Sequence, residues 1–208
     1  MAKTTYNSLT KTNILEEGTV ALLGNSIILN DNLDSMNHIA HNSYNRFMNR
    51  QNRIISNINI TLCLEGTIHT HQNLVPYHLK RGDVVLARSG SIGEFNGMSE
   101  DAKLALIVVD NNFYFPIFTS SGSPDLQNLT LKHHVIHLPE EDFEICFGIY
   151  KMLKKKLTLG QSPDFIHEIA RGLVQALIFN IYAAMVTEEK QQSLKTPGEK
   201  FLLRRVFV

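Results

Sequence analysis

The sequence predicts a mainly β fold with some α: an antiparallel sandwich or small barrel, followed by a two-helix antiparallel hairpin. Two observations carry that reading. From Asn57 to Val109 short apolar runs recur every few residues, punctuated by Gly66, Gly82 and Gly90. Such closely spaced strands favour a sandwich or barrel over alternating strand and helix units. After residue 137 the apolar spacing changes from a period of two to the three-and-four repeat of a helix.

Taken in order, Asn57 to Leu64 alternates strictly, with Ile58, Ile60, Leu62 and Leu64 on one side and Asn57, Asn59, Thr61 and Cys63 on the other. This is the pattern of a half-buried strand. Glu65-Gly66 is a turn signal. Thr67 to His71 and Leu74 to Leu79 read as a hairpin across Gln72-Asn73, where Asn tolerates a left-handed backbone. Arg81-Gly82-Asp83 turns the chain into the apolar strand Val84 to Ala87, and Ser89-Gly90-Ser91 closes it. Leu104 to Val109 is apolar throughout, as a strand covered on both faces would be. Val135 to Leu138 is again extended.

Pro139-Glu140-Glu141-Asp142 then opens a helix, with acids at the positive end of its dipole. Phe143, Cys146, Phe147, Tyr150, Leu153 and Leu157 form its apolar stripe, and Lys151, Lys154, Lys155 and Lys156 form a solvated face. Gly160 ends it, and a second helix is expected from about Pro163 to Val186. That helix has two apolar stripes. One holds Ile166, Ile169, Leu173, Leu177 and Ala184; the other holds Ala170, Val174, Ile178, Ile181 and Met185. One stripe suffices to cover the barrel or the first helix, so the other predicts a homodimer, with Ile166, Ile169, Leu173, Val174, Leu177 and Ile178 as interface residues. Thr187 to Lys200 is polar and broken by Pro197-Gly198, a linker pattern, and Phe201 to Val208 opens a further amphipathic helix.

Composition narrows the function. The 208 residues carry 20 Lys+Arg and 20 Asp+Glu, so no basic footprint for nucleic acid covers the chain. The start MAKTTYNSLTK has no signal-peptide core, and no apolar segment reaches the roughly 18 to 20 residues of a membrane span, so a cytoplasmic protein is expected. Cys63 and Cys146 lie in segments of different character and read as reduced, buried thiols. No catalytic set, metal set or cofactor motif stands out. His69 and His71, two apart on a strand, share one face, but two imidazoles alone fall short of a three- or four-ligand metal site.

The strand region resembles a cupin. Leu64-Glu65-Gly66 is similar to that family's Leu-Glu-Gly turn, and His78 to Leu86 (HLKRGDVVL) is similar to the phrase leading into its second motif. The resemblance implies a double-stranded β-barrel, or jelly roll, over residues 1–137. It departs at the metal ligands. Counting from Gly82, the motif's Pro, Gly and His places hold Arg88, Gly90 and Gly93, and His69-Thr70-His71 falls after the Leu-Glu-Gly turn where the family has its paired histidines before it.

With the helical hairpin at 138–188 and a linker and new helix at 189–208, the whole resembles the amino-terminal part of an AraC-type bacterial transcription regulator. The stretch Asn42 to Phe47 carries part of that likeness. The resemblance implies an effector-sensing or dimerising barrel, a homodimer, and DNA contact only through a carboxy-terminal helix-turn-helix domain beyond these residues. Candidate residues for a small-molecule effector are Asn59, Thr61, His69, His71, Tyr77 and Arg88, which bring varied donors and acceptors on or beside barrel strands. The alternatives are a stand-alone cupin enzyme, such as a metal-dependent isomerase or dioxygenase, and a non-catalytic binding protein.

Overall fold

In the computed structural model the described residues are 21–24, 26–31, 53–54, 57–119, 133–159 and 163–195. The sequence features at Asn42 to Phe47, at Gly160 and from Pro197 onward lie outside them.

Among the described residues ten strands form two antiparallel sheets. They are β1 (Ala21–Leu23), β2 (Ile27–Asn30), β3 (Arg53–Ile54), β4 (Ile58–Glu65), β5 (Ile68–Gln72), β6 (Val75–Leu79), β7 (Asp83–Ala87), β8 (Ile92–Met98), β9 (Lys103–Val109) and β10 (Val135–His137). The first sheet has the order β1-β2-β9-β4-β7-β10 and the second β3-β8-β5-β6. From β2 to β9 the chain alternates between sheets, except that the hairpin β5-β6 stays within one. This interleaving is a jelly roll, the architecture expected of the strand region.

The first sheet is covered on both sides. One face presents Ile58, Ile60, Leu62, Val84, Leu86, Ala105, Ile107 and Val109 to the helices. The other presents Cys63, Val85, Ala87, Leu104, Leu106 and Val108 to Ile68 and Leu79 of the second sheet. The expected alternation at Asn57 to Leu64 is present, with Ile58, Ile60 and Leu62 buried toward the helices and Asn59 and Thr61 half-buried; Cys63 departs from it, being buried inside the roll.

Two glycines are required by geometry. Gly66 has φ +67, and a Cβ there would stand 2.6 Å from the Ala102 Cα; Gly82 has φ +91, and a Cβ would stand 2.8 Å from the His137 ring. The turn around Gly82 also joins sheet to helix. Asp83 accepts from the Lys80 amide at 2.8 Å and lies 2.7 Å from His137 Nδ1, while the Leu138 amide donates to the Gly82 carbonyl at 2.9 Å. Arg81 donates to Glu140 and Glu144 at 2.6 and 2.7 Å and lies over the Phe143 ring.

Among the described residues the helices are α1 (Asn111–Thr119), α2 (Glu140–Thr158) and α3 (Pro163–Lys195). Pro139 is the N-cap of α2, one place earlier than its expected first helical position, and Glu140, Glu141 and Asp142 fill the first turn. The predicted stripe of α2 is in place: Phe143, Cys146, Tyr150 and Leu153 are buried. Lys154 leaves the solvated face assigned to it. It is buried, and its ammonium lies 2.6 Å from the Asp31 carboxylate beyond β2.

α3 continues to Lys195, so the linker expected from Thr187 is helical over its first part. Contrary to expectation, one apolar segment reaches the length of a membrane span. Phe165–Thr187 is 23 residues with a mean hydropathy of 1.6, long and apolar enough to cross a membrane. In this fold one side of the segment is spent on packing, since Ala170, Val174, Leu177, Ile178, Ile181, Tyr182 and Met185 are all buried in the helix-covered core.

Candidate functional site

The interior of the jelly roll is graded from apolar to polar. β4 and β5 leave the Gly66 turn together, one in each sheet, so their interior positions can be counted outward from it. Nearest the turn are Cys63 and Ile68, both buried with Leu79, Leu104 and Ala102. Next come Thr61 and Thr70, then Asn59 and Gln72. On the neighbouring strands Thr70 pairs with Tyr77 and Phe95, and Gln72 pairs with Gly93. Tyr77 and Phe95 both pack against the interior cluster, so by alternation Gly93 shares their face.

This polar end is partly satisfied within the protein. Gln72 Nε2 donates to Thr70 Oγ1 at 3.1 Å, and the Thr70 hydroxyl donates to the Glu94 carbonyl at 2.7 Å. Asn59 Oδ1 and Gln72 Oε1 are buried acceptors with no hydrogen-bond partner. Leaving an acceptor unpaired costs about 1–3 kcal/mol each. A polar molecule seated at this end, offering donors to both, would recover that cost.

A third polar link closes the same end of the roll. Asn73 Oδ1 accepts from the Ile92 amide at 2.8 Å, which points the Asn73 amide nitrogen at His134 Nε2, 2.7 Å away. His134 Nε2 must therefore accept, and the ring carries its proton on the buried Nδ1, which has no partner. Burial, and then the charge on His133, push the His134 pKa below its ordinary value.

The six predicted ligand residues are not brought together. Asn59, Thr61 and Tyr77 line the interior. His69 and His71 alternate with buried Ile68, Thr70 and Gln72, so they stand on the outer face of the second sheet. Arg88 lies on the helix side, where its charge acts on the Tyr114 and Tyr182 hydroxyls. Those hydroxyls lie 2.9 Å apart in a buried contact between α1 and α3, and burial raises both pKa values. Sequence reasoning missed Thr70 and Gln72. Their signal was the same alternation that marked β4, carried here by polar residues on both faces, Thr70 and Gln72 on one and His69 and His71 on the other.

The predicted interface residues also divide. Val174, Leu177 and Ile178 are buried inside the subunit and are corrected to core. Ile166 and Leu173 are half-buried against that core, and Ile169 is half-buried. Apolar surface the prediction did not name is exposed: Phe165 at 67% on α3, and Ile145, Met152 and Leu159 at 50–60% along α2. Cys63 and Cys146 are free and buried, with burial pushing their thiols up to about 11 and about 12. Among the described residues no three His, Cys, Asp or Glu side chains converge to hold a metal ion.

No protein-family profile matches the chain, and no curated protein sequence does. Solved structures give distant likenesses. Apo ToxT from Vibrio cholerae is similar at 12% identity and TM-score 0.43, over 65% of this chain and 52% of that one. The AraC-like transcriptional activator CuxR is similar at 13% identity and TM-score 0.41, over 77% and 49%. An oxalate decarboxylase from Thermotoga maritima, so described from prediction, is similar at 18% identity and TM-score 0.26, over 45% and 93%. The chain thus spans about half the length of ToxT and of CuxR.

Proposed function

We propose that this chain is the effector-sensing and dimerising portion of an AraC-type transcription regulator, without a catalytic role. The observation that carries the proposal is the pair of buried, unpartnered acceptors, Asn59 Oδ1 and Gln72 Oε1, at the polar end of the roll. A binding cavity needs a few placed polar groups against an apolar lining, and this end supplies them. Gly93, the place of the second cupin motif's histidine, brings no side chain to the same face beside Gln72. The expected effector is a small polar molecule with at least two hydrogen-bond donors. Its regulatory effect would equal the difference in its affinity for two arrangements of the dimer. DNA contact belongs to a carboxy-terminal domain beyond these residues, with half-site spacing set by the dimer.

A thermal-shift screen of polar metabolites tests the reading, run on the wild type and on Asn59→Leu and Gln72→Leu. The expected result is a compound that raises the wild-type Tm and loses most of its effect in either variant. A hit that shifts all three proteins equally would place the site elsewhere and defeat the assignment.

A further inference from the structure

The outer face of the second sheet carries a feature unrelated to the roll's interior. His69 and His78 are directly opposed across β5 and β6, with their Nδ1 atoms 2.6 Å apart and their rings edge to face, centroids 4.6 Å apart. At that separation one nitrogen carries a proton and the other accepts it. The pair is solvent-accessible, His78 being exposed and His69 half-buried. On its other side His69 faces Gly97 of β8, which brings no side chain to that flank.

We infer that His69 and His78 form an open two-imidazole chelate, short of the three or four protein ligands of a closed site and completed by water, for a borderline divalent transition-metal ion on the outside of the barrel. Imidazole nitrogens bind such ions at about 2.0–2.1 Å, so two of them at a right angle stand about 2.9 Å apart. The observed pair needs to open by a few tenths of an ångström, and each ring must also turn, because in the hydrogen-bonded pair the two Nδ1 axes point at one another and have to be brought to converge on a common ion. The metal takes both Nδ1 lone pairs; the proton now shared between them moves to an Nε2, and water fills the remaining positions. With two nitrogen donors and open water sites, copper(II) binds ahead of nickel(II) and zinc(II).

His71 stands on the same face but is held by its neighbours, with Nδ1 2.6 Å from Asn96 Oδ1 and 3.3 Å from Glu94 Oε2. It serves as the internal control. A bound ion would tie the two arms of the β5-β6 hairpin together and raise its resistance to opening.

The test is titration of the purified chain with copper(II) alone, by calorimetry and by electron paramagnetic resonance. The expected result is one saturable site whose spectrum reports two imidazole nitrogens. His69→Ala and His78→Ala should each weaken it at least about tenfold, while His71→Ala stays within about threefold. Circular dichroism checks that each variant is folded, and His78→Gln, at an exposed position, provides a second variant should His69→Ala misfold. Retention of wild-type affinity by His78→Ala or His78→Gln, or absence of any saturable site, would overturn the inference.

Discussion

At the scale of single residues, the Asn73–His134 contact shows how one backbone bond fixes a protonation state. The Ile92 amide orients the Asn73 side chain, the Asn73 amide nitrogen then requires an acceptor, and His134 Nε2 has to be neutral to accept. Protonating His134 sets two donors against each other in a buried place. Its folded pKa is depressed by burial, so the unfolded chain binds the proton first as pH falls. The stability this contact lends is complete above the ordinary imidazole value, near pH 6.5, and is lost as pH drops through the lower folded value. The wild type should therefore lose up to about 1.4 kcal/mol per pH unit from this group below about pH 6.5. His134→Gln, which stays neutral, should show a shallower loss in urea unfolding measured from pH 7 to 5. Parallel profiles for the two proteins would rule out His134 as the source.

At the scale of elements, the β5-β6 hairpin shows what the sequence could and could not reveal. Both arms were legible, because Ile68 and Leu79 mark the buried ends of two short runs bounded by turn residues. The register was not. The expected turn at Gln72-Asn73 would set His69 opposite Pro76, whereas the observed turn at Asn73-Leu74 sets it opposite His78. The turn has positive φ at both central residues, +50 at Asn73 and +69 at Leu74. Leucine is disfavoured there by contact of its Cβ with the backbone, so turn preference pointed one residue away from the answer, and the imidazole pair stayed hidden. β1 and β2 escaped because three or four residues hold too little periodicity. α1 escaped because Pro116 interrupts a run of aromatic residues that lacks acidic or basic end signals. Leu74 is 63% exposed and contributes little packing to set against its backbone strain. Leu74→Gly should accordingly stabilise the chain by about 0.5–1 kcal/mol, the relief of strain exceeding the added freedom of the unfolded chain. A rise in Tm of about 1–4 °C is the expected reading, and an unchanged or lower Tm would show that the strain is offset by contacts at the hairpin tip.

At the scale of the whole molecule, the first sheet is a shared wall. Side chains alternating along β4 face the interior at Asn59, Thr61 and Cys63, and the helices at Ile58, Ile60 and Leu62. A shift of β4 on filling the interior would act on the buried cluster that its other face shares with Val174, Leu177 and Ile178 of α3. Those three were expected at a subunit interface because a helical stripe shows that a face is covered without showing by what. With them assigned to the core, the surface left for a second copy is smaller and differently placed. On α3 it holds Phe165 and Ile169. On α2 it holds Ile145 and Met152, spaced seven apart and so on one side of the helix, with Leu159 at its C-cap. Each such side chain contributes about 1.5–3 kcal/mol when fully covered, so a few of them in a shared face can hold a dimer. The double variant Ile169→Lys with Met152→Lys removes that contribution and adds repulsion between copies, without touching the buried residues. Light scattering after size-exclusion chromatography at high micromolar concentration should give a dimeric mass for the wild type and a monomeric mass for the variant, with unchanged circular dichroism. A wild type that is monomeric there would end the dimer proposal. A variant that remains dimeric would exclude this face and direct the search to the edges of the two sheets, where β6 and β10 end their pairing.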